Sequence, residues 1–570
     1  MMWILSAFLC TVLIPNVLGA VHSDPYNIIQ QGLYRQSDHV VILAQSNFDK
    51  KVYGRNHAWI IQFYNSFCGH CKAFSPRYKA LALDILNWKK AVQLGVVDCS
   101  EEENIGLCRE FEVLAYPSLR YLHENYAKAN GNVGKQLHIT DTVGKLKTQL
   151  IEQLQGDMSS GYLRHIPKLG IESYASLSSA IAGERNNLFT FLVFENENST
   201  IGSELILDTI DYEGIATKRV YDTSELTSRT GVTKLPAIVA VYPNLQFTLL
   251  TPKFQTKESF LNAINSFLRT KQYVFPDRDL PIDDDPTEDV SPNDLIKADV
   301  IYYSDLEKTI RTSLHTEVVR YKILEKDVLR ALVDYLNILI LNFPFKANGR
   351  RYMTALRDHI LTRKRWSGSD LFEAIKRLED EHSPVYSSDL KYVSCRGSQS
   401  RYRGYTCGLW SLFHTLTVNA APNTGPMVLK AMHGYVKNFF GCTECSQHFQ
   451  AMAAKNRLFD VQDNDKAVLW LWISHNEVNL RLAGDITEDP AFPKIQFPST
   501  ERCFNCRLVH GAWNLTAVYH YLQSMYGAHN IEEHAPVRSS ASNVGPLSAI
   551  DIYMLSLLFV LRLGGKLDFL

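Results

Sequence analysis

The sequence predicts a multidomain protein in which two α/β domains precede an all-α region. In the first α/β unit, the strand-like run 59–64 leads into a C-x-x-C pair, Cys68 and Cys71, and residues 72–86 then have helical apolar spacing. A second strand-rich stretch, 161–273, repeats this pattern without cysteines. Apolar residues in the C-terminal half recur at helical spacing, which predicts the all-α region. At 570 residues, the chain is long enough for several domains.

The N-terminal segment indicates a protein that enters an oxidising compartment. Residues 1–20 contain a short apolar run and end at Gly19 and Ala20, as in a signal peptide, although the first residues lack a positive charge. One of the 11 cysteines lies in this segment, and the others fall into groups of two along the chain, which suits an oxidising compartment. Glycosylation sequons at Asn198 and Asn514 agree as weak signals.

Charge is nearly balanced over the whole chain but uneven along it. The formal net charge is −1 at pH 7, which gives no indication of nucleic-acid binding. Residues 276–293 mix acidic residues with prolines and contain little that could be buried. Such a composition is typical of an extended linker, so we place a domain boundary there.

The first cysteine pair is predicted to be redox-active. Cys68 and Cys71 follow a strand and open a helix, and a helix N-terminus favours the reactive thiolate. His70 between them adds to this effect, so the disulfide form should accept electrons from substrate thiols. The alternative of an inert buried pair does not explain the exposed position expected after a strand. Cys99 and Cys108 lack C-x-x-C spacing, which favours a structural clip over a relay.

Both α/β units resemble thioredoxin domains. Residues 35–155 are similar to the redox-active domain of protein disulfide isomerases, with Pro117 at the cis-proline position and Phe67 in place of the usual Trp. Residues 161–273 resemble a second, redox-inactive thioredoxin domain, in which Pro236 repeats the proline loop. This second domain is a spacer, a substrate-binding platform or simply another globular domain, and the residues do not separate these alternatives.

Residues 300–385 are predicted to form a helical module without a catalytic residue of its own. Ser304 and Glu307 have the spacing of a capping box at a helix start. Leucine and valine at helical spacing mark an amphipathic helix over 324–339, in a stripe that ends before Pro344. We expect this module to pack on the C-terminal domain.

A second C-x-x-C pair, Cys442 and Cys445, is followed by His448. The flanking sequence favours a helix N-terminus, where backbone N–H groups lower a thiol pKa. The alternative is half of a structural zinc site, with Cys503 and Cys506 as the other half. The gap between the two pairs is longer than is usual for such sites, so we expect no metal.

Two predicted helices carry polar and aromatic residues on one face. One helix carries Trp472, His475, Asn476 and Asn479 at i, i+3, i+4 and i+7. The other carries Trp410 and His414 at i and i+4. Each residue alone suits an ordinary core helix, because buried His and Asn usually find partners. Two such faces beside a C-x-x-C pair instead predict the walls of a pocket for a large, flat, polar ligand.

The tract 403–506 resembles the Erv/ALR family of FAD-dependent sulfhydryl oxidases, in which a small helical bundle holds FAD beside a redox C-x-x-C. The resemblance places this domain at 395–515 and implies that Cys442 and Cys445 are the flavin-proximal catalytic pair. The positions that match the family's FAD contacts are Arg403, Trp410, His414, Glu444, His448, Trp472, His475, Asn476, Val478, Asn479 and Lys494.

The same resemblance assigns the remaining cysteines of the C-terminal half. Cys395 with Cys407, and Cys503 with Cys506, match the structural disulfides of the family. Phe497 stands where close relatives carry a Trp, so this chain departs from the family pattern at that one contact.

The C-terminal residues 544–563 are a candidate membrane anchor. The apolar run 552–561 is too short to span a membrane, and extending it toward the N-terminus reaches the required length only by including Asp551. Arg562 and Lys566 would then lie on the cytoplasmic side.

The combined order of domains resembles the quiescin sulfhydryl oxidases over nearly the whole mature chain. The resemblance implies a flavin-dependent thiol oxidase that introduces disulfide bonds into reduced secretory-pathway proteins and is secreted, held in the Golgi membrane, or both. Electrons would pass from substrate thiols through Cys68/Cys71 and Cys442/Cys445 to FAD, and then to molecular oxygen, giving hydrogen peroxide. Because the two pairs lie on separate domains, a hinge at 157–161 or in the acidic linker must let them meet.

Two other functions stay open from the residues alone. One is a disulfide isomerase-like protein that uses only the first domain, has no oxidase activity and would be colourless. The other is a non-enzymatic binding protein, secreted or tethered to a membrane, whose cysteines are all structural or metal-bound. Neither would consume oxygen, so oxygen uptake discriminates both from the oxidase.

Overall fold

A computed structural model describes residues 32–128, 131–276, 297, 299–346, 348–399 and 401–533. Three predicted segments lie outside the described residues. They are the signal peptide at 1–20, the C-terminal segment 544–563, and the acidic linker 276–293 except for its first residue. Within the described ranges, no helix combines the length and the apolar character that crossing a membrane requires.

The first α/β domain is a five-stranded mixed sheet with the strand order β1-β3-β2-β4-β5. Strands β1, β3 and β2 run parallel, whereas β4 is antiparallel to both β2 and β5. Central strand β2 is buried along its whole length, which explains its nearly continuous apolar sequence. The elements are β1 (Val41–Leu43), α1 (Phe48–Val52), β2 (Ala58–Tyr64), α2 (Gly69–Asp84), β3 (Val92–Asp98), α3 (Ile105–Glu110), β4 (Ser118–Leu122), β5 (Lys135–Leu137) and α4 (Val143–Ser159).

The second α/β domain has the same plan, with the strand order β10-β9-β7-β8-β6. Its elements are β6 (Ile171–Glu172), α5 (Leu177–Ala180), β7 (Phe189–Phe194), α6 (Ile201–Asp208), β8 (Ile215–Val220), α7 (Ser224–Thr230), β9 (Ala237–Val241), β10 (Phe247–Leu250) and α8 (Lys257–Thr270). Pro117 and Pro236 follow cis peptide bonds at equivalent places in the two domains, just before β4 and β9. The fold class predicted for this half is confirmed.

The two α/β domains pack against each other through polar contacts. The indole nitrogen of Trp88 donates to Asp208 Oδ1 at 2.8 Å. Lys257 Nζ lies 2.9 Å from Asp84 Oδ1 and 3.3 Å from Asp208 Oδ2. Lys147 Nζ lies 2.8 Å from Asp84 Oδ2 and 2.7 Å from Glu204 Oε2, so the network is continuous across the boundary.

The C-terminal half is helical and is built around one large apolar cluster that joins its two parts. The first part contains β11 (Ile301–Tyr302), α9 (Tyr303–Thr312), β12 (Ile323–Glu325), α10 (Lys326–Asn342), α11 (Gly349–Leu361), β13 (Arg365–Ser367) and α12 (Gly368–Glu381). The second part contains α13 (Gly404–Val418), α14 (Gly425–Asn438), α15 (Thr443–Lys455), α16 (Asn464–Leu482), α17 (Leu515–Tyr526) and β14 (Ile531–Glu532). The short β11 and β14 strands pair in parallel, which ties the end of the chain to the start of this half.

The predicted capping box at Ser304 and Glu307 is wrong. The helix begins at Tyr303, so Ser304 and Glu307 lie inside α9 rather than at its N-cap. Both residues are buried. Glu307 instead accepts the backbone N–H groups of Ser387 and Ser388 at 3.0 Å, which connects the helix to a distant loop. The S-x-x-E spacing is local, whereas the partner of Glu307 comes from tertiary structure.

Candidate active site

The first C-x-x-C pair lies at the junction of β2 and α2. Cys68 is the N-cap of α2, and its Sγ lies 3.7 Å from the carbonyl oxygen of Tyr116, just before the cis-proline. A hydrogen bond from the Cys71 thiol lowers the pKa of Cys68 despite its burial, and backbone N–H groups of Cys71 and His70 add to this effect. Burial raises the pKa of Cys71. This difference in pKa favours Cys68 over Cys71 as the more reactive thiol of the pair.

The pair is not exposed as the strand-to-helix position predicted. Cys68 and Cys71 are 4% and 0% exposed, and the C-terminal helical half covers this edge of the α/β domain. The backbone N–H of Tyr116 donates to the carbonyl oxygen of Gly441 at 3.3 Å. Phe67 packs so closely on Gly404 that an added Cβ there would lie 2.2 Å from its ring. The covering surface contains the second cysteine pair.

The second pair, Cys442 and Cys445, is joined as a disulfide at the start of α15, with Cys442 as the N-cap. Cys442 is 3% exposed and belongs to the apolar cluster that contains Cys68. One ring nitrogen of His70 and the two sulfur atoms of this disulfide lie within 4.8 Å of one another. Because both sulfurs are in a disulfide, they provide no thiolate for a metal. A dithiol and a disulfide thus face each other across a domain boundary.

The middle residues of the two motifs also meet. His70 Nδ1 lies 2.9 Å from Glu444 Oε2, and Glu444 Oε1 lies 3.6 Å from His448 Nε2. All three side chains are about half-exposed. Family resemblance alone suggested FAD contacts for Glu444 and His448, whereas the structure directs Glu444 toward the first α/β domain.

The other cysteines among the described residues form three further disulfides: Cys99–Cys108, Cys395–Cys407 and Cys503–Cys506. The Cys395–Cys407 bond holds the loop before α13 against its first turn. These bonds occur in the pairs that the sequence analysis expected, and a zinc site at Cys503 and Cys506 would require both thiols to be free.

The predicted polar faces of α13 and α16 lie against each other. The rings of Trp410 and His475 stack in parallel, with centroids 4.1 Å apart and planes 4° apart. His414 Nε2 lies 3.2 Å from His475 Nδ1. Burial lowers the pKa of His414 to about 3, so the imidazole is neutral. The Nδ1 atom of His414 is buried and has no hydrogen-bond partner among the described residues.

The outer residues of the α16 face hold a loop in place. Trp472 Nε1 and Asn476 Nδ2 donate to the carbonyl oxygen of Phe497 at 2.6 and 2.7 Å. Asn479 Nδ2 donates to the carbonyl oxygen of Ile495 at 3.1 Å. Phe497, the residue that departs from the family pattern, thus contributes its backbone to this site. Val478 is partly buried against the helical core.

Two buried cations lie close to each other near His475. Burial lowers the pKa of both Arg403 and Lys494, and the positive charge of Arg403 lowers the pKa of Lys494 further. The charge of Lys494 in turn lowers the pKa of His475. Arg403 lies over the ring of Phe492 at 4.2 Å, and its Nε has no hydrogen-bond partner in the described part of the chain. Buried cations, stacked rings and an unpartnered imidazole nitrogen suit a dinucleotide that has a flat ring system and a pyrophosphate. These residues fit FAD.

Fold and site together define a thiol-disulfide oxidoreductase in which a thioredoxin-type domain is docked on a helical bundle with a dinucleotide site. Family models match residues 39–145 (Thioredoxin), 166–268 (QSOX Trx-like domain), 297–398 (flavin adenine dinucleotide (FAD)-dependent sulfhydryl oxidase) and 407–498 (Erv1 / Alr family). The chain is 34% identical over 532 residues to Sulfhydryl oxidase 1 of Gallus gallus, covering 91% of this chain and 70% of that one.

Further similarities are found to a curated protein and to a solved structure. Sulfhydryl oxidase 2 of Homo sapiens is 30% identical over 536 residues, which cover 90% of this chain and 76% of that one. A solved sulfhydryl oxidase fragment of human QSOX1 is 36% identical with a TM-score of 0.39, covering 41% of this chain and 99% of the fragment. The chain belongs to the quiescin sulfhydryl oxidase family, binds FAD and is a thiol oxidase that introduces disulfide bonds. The isomerase and non-enzymatic alternatives are therefore set aside.

Sequence reasoning did not identify every residue at the junction. Glu317 and Arg320, from the first helical part, and Tyr116 and Gly441, from the two redox domains, contact one another beside the cysteine pairs. No local pattern in the sequence marks these residues, because their partners are far away along the chain.

Proposed function

We propose that the chain oxidises thiols of reduced secretory-pathway proteins and passes their electrons through two cysteine pairs to FAD and molecular oxygen. The observation that carries this proposal is the docking of the Cys68/Cys71 dithiol against the Cys442/Cys445 disulfide. A disulfide isomerase that works alone would have no use for a second redox pair at this place.

The first step oxidises the substrate. A substrate thiolate attacks one sulfur of the Cys68–Cys71 disulfide, and the second substrate thiol then resolves the mixed disulfide. The substrate leaves with a new disulfide, and Cys68 and Cys71 become thiols. Because hydrogen bonds lower the pKa of Cys68, this sulfur is a good leaving group in the first step and a ready nucleophile in the next.

The second step transfers the electron pair between domains. The Cys68 thiolate attacks Cys442, the Cys442–Cys445 bond breaks and Cys445 leaves as a thiolate. Cys71 then loses its proton and attacks Cys68, which restores the Cys68–Cys71 disulfide and releases Cys442 as a thiolate. Burial raises the pKa of Cys71, which holds it back as a thiol until Cys68 has reacted.

The third step needs the flavin. When bound, FAD would supply the two-electron chemistry that links the reduced Cys442/Cys445 pair to molecular oxygen, with hydrogen peroxide as the product. Arg403 and Lys494 would hold the pyrophosphate, and Trp410 and His475 would contact flat rings. The other residues proposed to line the site are His414, Glu444, His448, Trp472, Asn476, Val478 and Asn479.

Substrate access requires the docked arrangement to open, because both thiols of the first pair are buried. The predicted hinge at 157–161 is disfavoured by the contacts across the boundary that it would have to open. The network around Lys257 joins the two α/β domains through Asp84 of the first and Asp208 of the second. We infer that these domains move together, which leaves the acidic linker, outside the described residues, as the predicted hinge.

The location of the protein is proposed as the secretory pathway, in the Golgi membrane, in the extracellular space, or both. The structural disulfides support an oxidising compartment. Asn198 is exposed and accessible to a glycan, and Asn514 is half-buried with its side chain capping α17. The proposed membrane anchor at 544–563 would distinguish a Golgi form from a secreted one. Sensitivity of the secreted or membrane-bound chain to a glycosidase tests the compartment.

Replacement of both flavin-proximal cysteines tests the relay. In the Cys442→Ser/Cys445→Ser variant, dithiothreitol should still reduce Cys68 and Cys71, while oxygen consumption stops and the flavin absorption band stays oxidised. Purified protein is followed with an oxygen electrode and by absorbance. Oxygen consumption that continues at the parental rate would overturn the scheme.

A further inference from the structure

A cysteine-free helical segment lies between the two redox domains. It consists of a π-helical turn, Ser313–Glu317, and the 3-10 turn Val318–Arg320 that follows it, and we call residues 313–320 the docking turn. π-Helical turns are rare and occur frequently at functional sites. The predicted helical module at 300–385 contains no cysteine, so none of its residues exchanges a disulfide in the proposed relay.

The docking turn and its neighbours make polar contacts with the first α/β domain. His315 Nδ1 lies 3.0 Å from Glu102 Oε1, and Arg311 pairs with the same carboxylate. Arg109 donates from Nη1 to the carbonyl oxygen of Val319 at 2.7 Å. The first α/β domain is therefore docked on this module as well as on the bundle that carries the second cysteine pair.

Glu317 joins the turns that precede both cysteine pairs. Its Oε2 accepts the backbone N–H of Gly441, the residue before Cys442, at 3.0 Å. Its Oε1 lies 3.5 Å from Asn65 Nδ2. Asn65 in turn accepts the backbone N–H of Cys68 at 3.0 Å. One carboxylate thus contacts Gly441, the residue before Cys442, and Asn65, which lies in the turn before Cys68.

Arg320 completes the connection. Its Nη1 lies 3.6 Å from Glu317 Oε2, and its guanidinium lies 5.9 Å from the ring centre of Tyr116. The side chains of Glu317 and Arg320 are only 5% and 3% exposed. Within the described residues, neither Nε nor Nη1 of Arg320 has a hydrogen-bond partner, so its charge is compensated by Glu317. The backbone of Tyr116 lies next to this cation. Its N–H donates to the carbonyl oxygen of Gly441, and its carbonyl oxygen lies 3.7 Å from Cys68 Sγ.

We propose that Glu317 is a positioning residue for the disulfide exchange between the two cysteine pairs, and that it acts from a helical module without a cysteine pair of its own. By holding the Gly441 N–H and orienting Arg320 against Tyr116, Glu317 sets the arrangement in which Cys68 reaches Cys442. This proposal rests on the relay proposed above. The charge of Glu317 matters because its removal leaves Arg320 as a buried cation without a counter-charge.

The test measures how strongly the docked arrangement favours a bond between Cys68 and Cys442. In a Cys71→Ser/Cys445→Ser background, these two thiols react with oxidised glutathione to give the interdomain disulfide and two molecules of reduced glutathione. The effective molarity follows from the fraction of interdomain disulfide in defined glutathione buffers, quantified by mass spectrometry of digested protein. We expect Glu317→Ala to lower it about 10- to 100-fold, since misplaced reacting groups lose this much.

Glu317→Gln is the conservative variant, and Glu307→Ala is the matched control. Gln retains an acceptor for the Gly441 N–H but removes the charge, so its effect should be intermediate. Glu307 is a buried carboxylate in the preceding helix that also accepts backbone N–H groups, but from Ser387 and Ser388, away from the cysteine pairs. Glu307→Ala should destabilise the module while leaving the effective molarity of the folded protein unchanged.

The outcomes separate this proposal from the relay. An unchanged effective molarity in both Glu317 variants, or an equal fall in Glu307→Ala, would overturn the positioning role. If Glu317→Ala does not fold, Glu317→Gln decides alone. Absence of the interdomain disulfide from the parent background would instead overturn the relay, whatever Glu317 does.

Discussion

The two α/β domains have the same sheet order and equivalent cis-proline loops, but different groups occupy the turn after the central strand. In the first domain, Cys68 lies there with its pKa lowered by hydrogen bonds. In the second, Glu195 follows β7, accepts the Gly202 N–H at 3.1 Å with both oxygens and pairs with Arg219. In both domains a helix N-terminus stabilises an anionic or electron-rich group. A thiol at this place supports redox chemistry, whereas a paired carboxylate supports only structure.

The comparison extends to what each domain contacts. The first domain presents its cis-proline loop to the bundle with the second cysteine pair, through Tyr116 and Gly441. The second domain contacts the first through Asp208 and Lys257. These contacts are compatible with a spacer, a substrate-binding platform or simply another globular domain. The following predictions test whether the second domain takes part in the thiol exchange.

The largest effect is expected from the catalytic cysteines of the first domain. Cys68→Ser/Cys71→Ser should lower oxidation of a reduced protein substrate by at least about 10³-fold, because the nucleophile and its partner are lost. Hydrogen peroxide formation with reduced ribonuclease as substrate measures the effect. Asn196→Gln, in the equivalent loop of the second domain, leaves the sequon at Asn198 intact and should leave the rate unchanged. A large loss in that control would give the second domain a direct role.

The next effect concerns stability rather than catalysis. Glu195→Ala leaves Arg219 as a buried cation without its partner and should destabilise the second domain by about 3 to 5 kcal/mol. Urea denaturation measures this loss. Turnover per bound flavin should stay close to that of the parent, and the double variant Glu195→Ala/Arg219→Met should recover part of the stability. A proportional loss of turnover in folded protein would contradict the comparison.

Docking of the first domain should depend on pH through His315, which faces Glu102, Glu379, Arg311 and the ring of Phe372. Although burial opposes the charge, hydrogen bonds to the two carboxylates raise the pKa of His315. Undocking removes Glu102, so protonation of His315 favours docking. This contribution is complete below the pKa of the undocked form and is lost as pH rises through the raised pKa of the docked form.

The measurement is the ratio of interdomain effective molarities in the parent and in Glu102→Gln, each in the Cys71→Ser/Cys445→Ser background. Titration of the thiols is common to both proteins and cancels in the ratio. The ratio should fall by about threefold to tenfold between acidic and alkaline buffers, in line with one partly exposed ion pair. A ratio that is constant with pH would exclude His315 from docking.

The smallest effect is expected at the boundary between the two α/β domains. Trp88→Phe removes the hydrogen bond to Asp208 but keeps most of the buried ring, so stability should fall by about 1 kcal/mol. Calorimetry detects this change. Oxygen consumption should stay at the parental level, and a fall larger than the loss of folded protein would show that the second domain influences the exchange.

Much of the redox machinery could be predicted because its signals are local. The strand, C-x-x-C and helix around Cys68 follow one another along the chain, and the helical spacing of Trp472 and His475 places both on one face. The family resemblance then supplied the flavin, which the spacing alone indicated only as a large flat ligand. The capping box at Ser304 failed because its spacing also occurs in the interior of a helix.

The sequence by itself determined the fold class, the order of domains and the two redox pairs, since these depend on periodicity and on the spacing of reactive residues within short segments. Only the tertiary structure decided that Cys68 is buried, that His70 meets Glu444, and that Glu317 lies between Asn65 and Gly441. These contacts join residues far apart along the chain. Their geometry depends on how whole domains pack, and no local pattern of residues records it.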